Sequence, residues 1–194
     1  MEPLSCKLRS SMIYHLSLHT AGILAGLFLL LVSVPSLVRP DLARSWFTSL
    51  PRSRVAGIAL LSIAFLWSFW LLATMEMGEF SSFRKPLLIG TPIGFFLVLR
   101  FVDEFLAVRA LGILFLLAAE PLLEAAFLRY ESSRLLVTVF AYVLVVAGLF
   151  WVTMPYLLRD HIAWSTRSAG RWRAINLVAL LYGAAILAFA VTRY

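Results

Sequence analysis

Charged residues are scarce in this sequence, and their absence from long intervals is its most informative feature. They make up 14% of the 194 residues, whereas soluble domains contain about 25%. Four intervals contain no Asp, Glu, Lys or Arg, and they lie between Arg9 and Arg39, Arg54 and Glu76, Arg134 and Arg159, and Arg173 and Arg193. Because about 20 apolar residues cross the hydrocarbon core of a bilayer, each interval predicts a transmembrane helix. This charge distribution excludes an ordinary soluble domain.

Cysteine and the usual catalytic motifs are also nearly absent. The only cysteine is Cys6, which excludes an intrachain disulfide and a metal centre built from several thiolates. The sequence has no Walker A loop, GxSxG, dinucleotide fingerprint or HExxH. Its aspartates, Asp41, Asp103 and Asp160, all fall between apolar segments, which argues against an intramembrane aspartyl protease. We therefore expect a protein that is not an enzyme and carries no cofactor.

What the sequence does contain is apolar residues, at 62% of the chain, with a mean hydropathy of +0.92. In lipid, only a helix or a closed barrel pairs all of its own backbone groups. We therefore predict an all-α polytopic transmembrane bundle, forming a single domain over residues 1–194. Its six predicted spans cover residues 16–38, 55–75, 86–102, 105–127, 135–158 and 175–191.

The first and third segments each admit another interpretation. Lys7 and Arg9 precede the first segment, as in a signal sequence, but the apolar run is too long for a signal core, so we expect an uncleaved span. The third segment contains Pro86, Gly90, Pro92 and Gly94. A short, interrupted segment of this kind is also compatible with a re-entrant loop, which would leave five spans.

The net charge of +7 comes mainly from arginine-rich connectors, which are typical of membrane proteins and do not indicate a nucleic-acid partner. In the first of these connectors, residues 39–54, Pro40 and Asp41 favour a helix start, and Trp46 shares one face with leucines. A basic helix with such a face lies in the headgroup layer.

The chain also contains a weak internal repeat. The segment from Pro35 to Arg39 resembles the segment from Pro155 to Arg159, and an arginine-rich connector and an apolar segment follow each of them. The hairpins 16–75 and 135–192 could therefore be related. Alternatively, any two helical hairpins joined by basic turns would look alike.

Glu120 is the most informative single residue, because it is an acid about 9 Å inside the predicted edge of the fourth span. A glutamate is too short to reach the headgroups from that depth, so it needs a partner or a proton. Glu124 lies one turn further on, and Arg109 falls near the same stripe at the other end. An ion or proton pathway made of Glu120, Glu124 and Arg109 is one interpretation. A structural ion pair or a neutral, hydrogen-bonded glutamate is the other.

A second set of polar residues gathers at the same membrane surface if there are six spans. We call this side A, the side of the N-terminus. The polar cluster consists of His15, His19, Glu76 and Glu79. Its spacing matches no metal-binding motif, so we assign no metal. Two histidines on one helix cannot bracket a haem, and His161, the other histidine, lies on the opposite side.

Two functions are compatible with these features. The first is a non-catalytic subunit or assembly partner of a larger membrane complex, in contact with the bilayer and with other subunits or with its own copies. The second is a small transporter or ion-conducting protein that uses Glu120 and the broken segment 86–102, since carriers build their sites from discontinuous helices. Compactness and short basic loops favour a bacterial inner (cytoplasmic) membrane.

Overall fold

The computed structural model describes residues 14, 16–75, 78–102, 105–127 and 133–193. Those residues form eight α-helices, which are α1 (Leu18–Val38), α2 (Pro40–Ser49), α3 (Arg54–Thr74), α4 (Arg84–Phe101), α5 (Leu106–Ala126), α6 (Arg134–Thr153), α7 (Tyr156–Thr166) and α8 (Ala169–Arg193). Six of them, namely α1, α3, α4, α5, α6 and α8, are long and apolar enough to cross a bilayer. The predicted all-α bundle with six spans is confirmed.

The third segment is a continuous helix rather than a broken one. Pro86 occupies the first turn of α4, where backbone N–H groups have no intrahelical partner, so it removes no hydrogen bond. Pro92 lies inside the helix, and next to it the Thr91 hydroxyl donates to the Leu87 carbonyl at 2.7 Å. With the turn before it, the apolar stretch runs over Ser81–Phe101, which is 21 residues. The alternative interpretation of 86–102 as a broken, re-entrant segment was therefore wrong.

Helix directions agree with six crossings. A methyl group added at Gly57 near the start of α3 would meet Ala107 near the start of α5, so α3 and α5 run parallel. A re-entrant third segment would make them antiparallel. Side A is therefore the end where α1 and α6 begin and where α3 and α5 finish; we call the opposite end side B.

Two antiparallel helix pairs make the tightest contacts, α5 with α6 and α1 with α8. At the first crossing, a Cβ on Gly112 would lie 2.9 Å from the Gly148 carbonyl oxygen, and the reverse distance is 2.8 Å. At the second, a Cβ on Gly26 would lie 3.0 Å from the Gly183 carbonyl oxygen. The backbones approach this closely because neither glycine has a side chain, as in small-xxx-small packing between membrane helices.

The side chains follow the pattern of a bundle in lipid rather than in water. The buried positions of α1 are mostly small, including Ala21, Ala25 and Ser33, whereas Leu24 and Leu31 are exposed. A central core joins α1, α5, α6 and α8. Helix α3 packs beside α5, and α4 packs on α3 at the edge of the bundle with no buried residue of its own.

Both arginine-rich connectors form helices, α2 and α7, and the two helices pack against each other at side B. The predicted fifth span, 135–158, was too long at its end. Helix α6 ends at Thr153, because Pro155 has no N–H to continue the ladder, and residues from Tyr156 onward begin α7. The described residues therefore contain a second short α-helix at side B besides the predicted α2.

The two hairpins of the suggested repeat share the order span, short helix, span. Their proline segments nevertheless occupy different places, because Pro35 lies inside α1, whereas Pro155 precedes α7. A common origin of hairpins 16–75 and 135–192 stays a prediction.

Candidate functional site

The candidate site lies at side A, where the end of α5 meets the end of α3 and the residues that precede α1. Helix α5 reaches this surface as an unbroken helix although it contains Pro121, which is itself buried. Glu120 and Glu124 lie one turn apart on it and therefore share a face. Glu120 is exposed, and Glu124 is half-buried.

A cleft of about 550 Å³ opens beside the two carboxylates. Apolar side chains form the rest of its wall, and these are Met75, Leu116, Ala119, Leu123, Phe127 and Val145. The cleft begins near the membrane surface and reaches Leu116, the eleventh residue of the 21-residue helix α5, so it extends to about half the depth of the span. The structure therefore places two carboxylates in an open cleft whose other walls are apolar.

Tyr14 connects the three chain segments that meet here. Its backbone N–H donates to Glu124 Oε2 at 3.4 Å, and its hydroxyl accepts a hydrogen bond of 2.7 Å from Trp67 Nε1. Its ring also packs against Trp70, with the ring centroids 5.7 Å apart. These contacts tie the residues before α1 to both α3 and α5.

The environment of Tyr14 makes its phenol harder to ionise. Burial is the largest cause and raises the pKa; the hydrogen bond from Trp67 lowers it; the charges of Glu120 and Glu124 raise it further. A tyrosinate here would stand beside two carboxylates, so the phenol stays protonated at neutral pH. Tyr14 is then a neutral acceptor for Trp67 with a proton of its own to donate.

The predicted site residues divide between the two ends of α5. Glu120 and Glu124 share the cleft, but Arg109 is exposed near the opposite end, eleven residues or about 16 Å along the axis from Glu120. In the described ranges, no basic side chain forms an ion pair with either glutamate. The three residues therefore do not form one cluster, and Arg109 lies within reach of the side B headgroups.

The predicted polar cluster can be located only in part. His19 is exposed in the first turn of α1. His15 and Glu76 lie outside the described residues, and so does the side chain of Glu79. Where the structure describes the chain, no three His, Cys, Asp or Glu side chains converge as metal ligands would.

Tyr14, Trp67 and Trp70 are the site residues that sequence reasoning missed. Tyr14 stands beside the predicted histidine pair, and the two tryptophans mark the far end of the second span. The position of the two tryptophans in an aromatic belt accounts for them without a site. Only the packing of three segments reveals that both contact Tyr14, which is hydrogen-bonded to Glu124.

Comparison with protein-family models, with curated proteins and with solved structures finds no match. The architecture itself defines the class, which is a helical membrane protein with six spans. Its candidate site is the cleft that Glu120 and Glu124 line.

Proposed function

We propose that this protein is a non-catalytic subunit of a larger complex in a bacterial inner membrane, and that the side A cleft receives a transmembrane helix of a partner protein. One observation carries the proposal, namely that Glu120 is exposed in an otherwise apolar cleft, six residues before the end of a membrane-spanning helix. An ionised acid at the centre of a span costs about 2.5–3.5 kcal/mol, and somewhat less at this depth. A donor on a partner helix would offset that cost.

The chemistry of the cleft specifies the partner. Its wall is apolar apart from Glu120 and Glu124, so the matching helix presents small or apolar side chains and one Lys, Arg or hydrogen-bond donor in its side A half. Intramembrane polar contacts of this kind fix which helices associate.

Native mass measured in mild detergent, after extraction from the host, tests the proposal together with Glu120→Gln. We expect companion chains at fixed stoichiometry in the wild type and at least about fivefold less of them with Glu120→Gln, because intramembrane polar contacts contribute about 1 kcal/mol. Arg109→Gln is the matched control, since it removes the positive charge of α5 at the opposite end and should leave the assembly intact.

A photo-crosslinking residue locates the contact. Placed at Leu123, which lines the cleft, it should capture the same companion, and placed at the exposed Val178 on α8 it should not. A bare monomer or homodimer in native extracts, or a companion unaffected by Glu120→Gln, would contradict the proposal.

A small proton or ion transporter is the second candidate, favoured by the hydrogen-bonded Tyr14 beside two carboxylates. Its other support was a broken third segment, and α4 is continuous. For this candidate, Glu120→Gln would abolish flux in reconstituted vesicles while abundance and assembly stay normal.

A further inference from the structure

A second cavity, unconnected with the glutamates, lies at side B among α1, α2, α7 and α8. Its volume is about 560 Å³, within the range of about 300–1,000 Å³ typical of ligand sites. It extends from the short helices at the surface down to Phe28 and Phe115. Phe28 lies ten residues, or about 15 Å, before the end of α1, so the cavity runs along the depth of one leaflet.

The walls of this cavity are those of a hydrocarbon site. Four tryptophans line it, and these are Trp46, Trp151, Trp164 and Trp172. Most of the remaining lining is aliphatic or aromatic, and the few polar groups include Ser33 and Asn176. The Ser33 hydroxyl is already bonded to the Leu29 carbonyl at 2.7 Å, so it demands no polar ligand. Such a surface suits an acyl chain.

Trp172 is held rigidly at the mouth of the cavity. Its Nε1 donates to the Ser36 carbonyl at 2.9 Å, which has no intrahelical donor because Pro40, four residues on, lacks an N–H. Asn176 Nδ2 donates to the Trp172 carbonyl at 2.8 Å, and the ring of Phe47 packs edge-on at 5.8 Å. The indole is therefore a fixed part of the wall.

Two arginines lie over the tryptophans of the rim. The guanidinium of Arg44 is 5.7 Å from the ring centre of Trp172, and that of Arg171 is 5.1 Å from the ring centre of Trp164. These cation–π contacts place positive charge beside the opening. Arg44 is ion-paired with Asp41, its Nη1 3.9 Å from Oδ1, and its buried Nε has no hydrogen-bond partner among the described residues.

We infer that this cavity binds one anionic glycerophospholipid, with an acyl chain between Phe28 and Trp172 and the phosphate against Arg44 and Arg171. Two observations carry the inference together: an apolar cavity with the depth of a leaflet, and two arginines at the level of the headgroups. The guanidinium group of an arginine can bind two phosphate oxygens at once. Basic pockets beside transmembrane helices recognise anionic lipid headgroups. The arginines give the charge selectivity, and the cavity gives the one-lipid stoichiometry.

Native mass spectrometry of the delipidated full-length protein tests the inference, with phosphatidylglycerol and phosphatidylcholine of identical acyl chains as probes. We expect one phosphatidylglycerol to bind at least about tenfold more tightly than phosphatidylcholine, since two charge-assisted contacts are involved. Arg44→Ala combined with Arg171→Ala should abolish that preference. Equal affinity of the wild type for both lipids would overturn the assignment of the headgroup site.

A filled cavity provides the second test. Ala179→Trp places a large ring in the lining and should weaken phosphatidylglycerol binding about tenfold, since the volume for the chain is lost. Val178→Trp, next to it on the exposed face of α8, is the matched control and should bind as the wild type does. Undiminished binding by Ala179→Trp, or occupancy by several lipids without saturation at one, would refute the cavity. The lipid preference of the wild type remains decisive if Ala179→Trp does not fold.

Discussion

Replacing Gly112 with alanine should separate the α5–α6 pair, because the added methyl group has nowhere to go. It would lie 2.9 Å from the Gly148 carbonyl oxygen and 2.9 Å from Val152 Cγ2. The carbonyl oxygen belongs to the backbone of α6, so relief requires that the helices move apart over the whole crossing.

The steric cost of the added methyl group is best measured by comparing two glycine-to-alanine substitutions. Gly90 lies inside α4 with nothing within 4 Å of its ideal Cβ, so Gly90→Ala measures helix propensity alone, a gain of up to about 1 kcal/mol. Gly112→Ala has the same gain in helix propensity, but overpacking destabilises it by about 1–3 kcal/mol. The difference between the two variants therefore isolates the steric cost.

Reversible unfolding in mixed SDS micelles, followed by tryptophan fluorescence, provides the assay. The equilibrium constant for unfolding should differ between Gly90→Ala and Gly112→Ala by about 5- to 150-fold, which corresponds to about 1–3 kcal/mol. A variant that carries both Gly112→Ala and Gly148→Ala should lose less stability than the two single variants lose in sum, because one separation of the helices relieves both clashes. Equal stability of the Gly90 and Gly112 variants would refute the close-packing argument.

Two further predictions follow from single hydrogen bonds. Trp172→Phe leaves the buried Ser36 carbonyl without its donor and should cost about 1–3 kcal/mol in the same assay, whereas Trp164→Phe, exposed on α7, should cost little. Equal losses of stability in Trp172→Phe and Trp164→Phe would show that the ring volume matters rather than the hydrogen bond of the indole N–H. The Tyr14 phenol should ionise above its usual pKa of about 10, because burial is the largest cause of its shift. A raised pKa means that its contribution to stability is present below pH 10 or so and is lost as pH rises through the folded value. The ultraviolet titration difference between wild type and Tyr14→Phe measures this; a midpoint at or below the usual pKa would contradict it.

The spans themselves could be predicted from the sequence, because the absence of charge over about 20 residues is nearly sufficient for a transmembrane helix. The same reasoning placed Glu120 inside the fourth span, and Glu120 lies six residues before the end of α5. The proline, acid and aromatic pattern after the first span predicted the short helix α2. The end of α6 was missed, because apolar residues continue to Leu158 and only the missing N–H of Pro155 stops the helix.

The pairing of helices could not be predicted. In lipid, both the buried and the exposed faces of a helix are apolar, so periodicity does not reveal which face meets a neighbour. The contact of Gly26 with Gly183, about 160 residues away, depends on the order of helices around the bundle. The same holds for the contact of Gly112 with Gly148. Tyr14 was missed because its partners Trp67 and Glu124 lie on two other helices.

The side A cleft and the side B cavity bear on the choice between an assembly subunit and a transporter. The side A cleft ends at Leu116 and Val145, and the side B cavity ends at Phe28 and Phe115. The rings of Phe115 and Trp151 pack 4.8 Å apart, next to the central core. An ion that entered beside Glu120 would have to displace this packed layer of rings to enter the side B cavity, whereas a partner helix needs only the open cleft beside Glu120. This arrangement supports our proposal of contact within the membrane plane over conduction across it. Normal assembly combined with lost flux in Glu120→Gln would show that the layer opens and would reverse this preference.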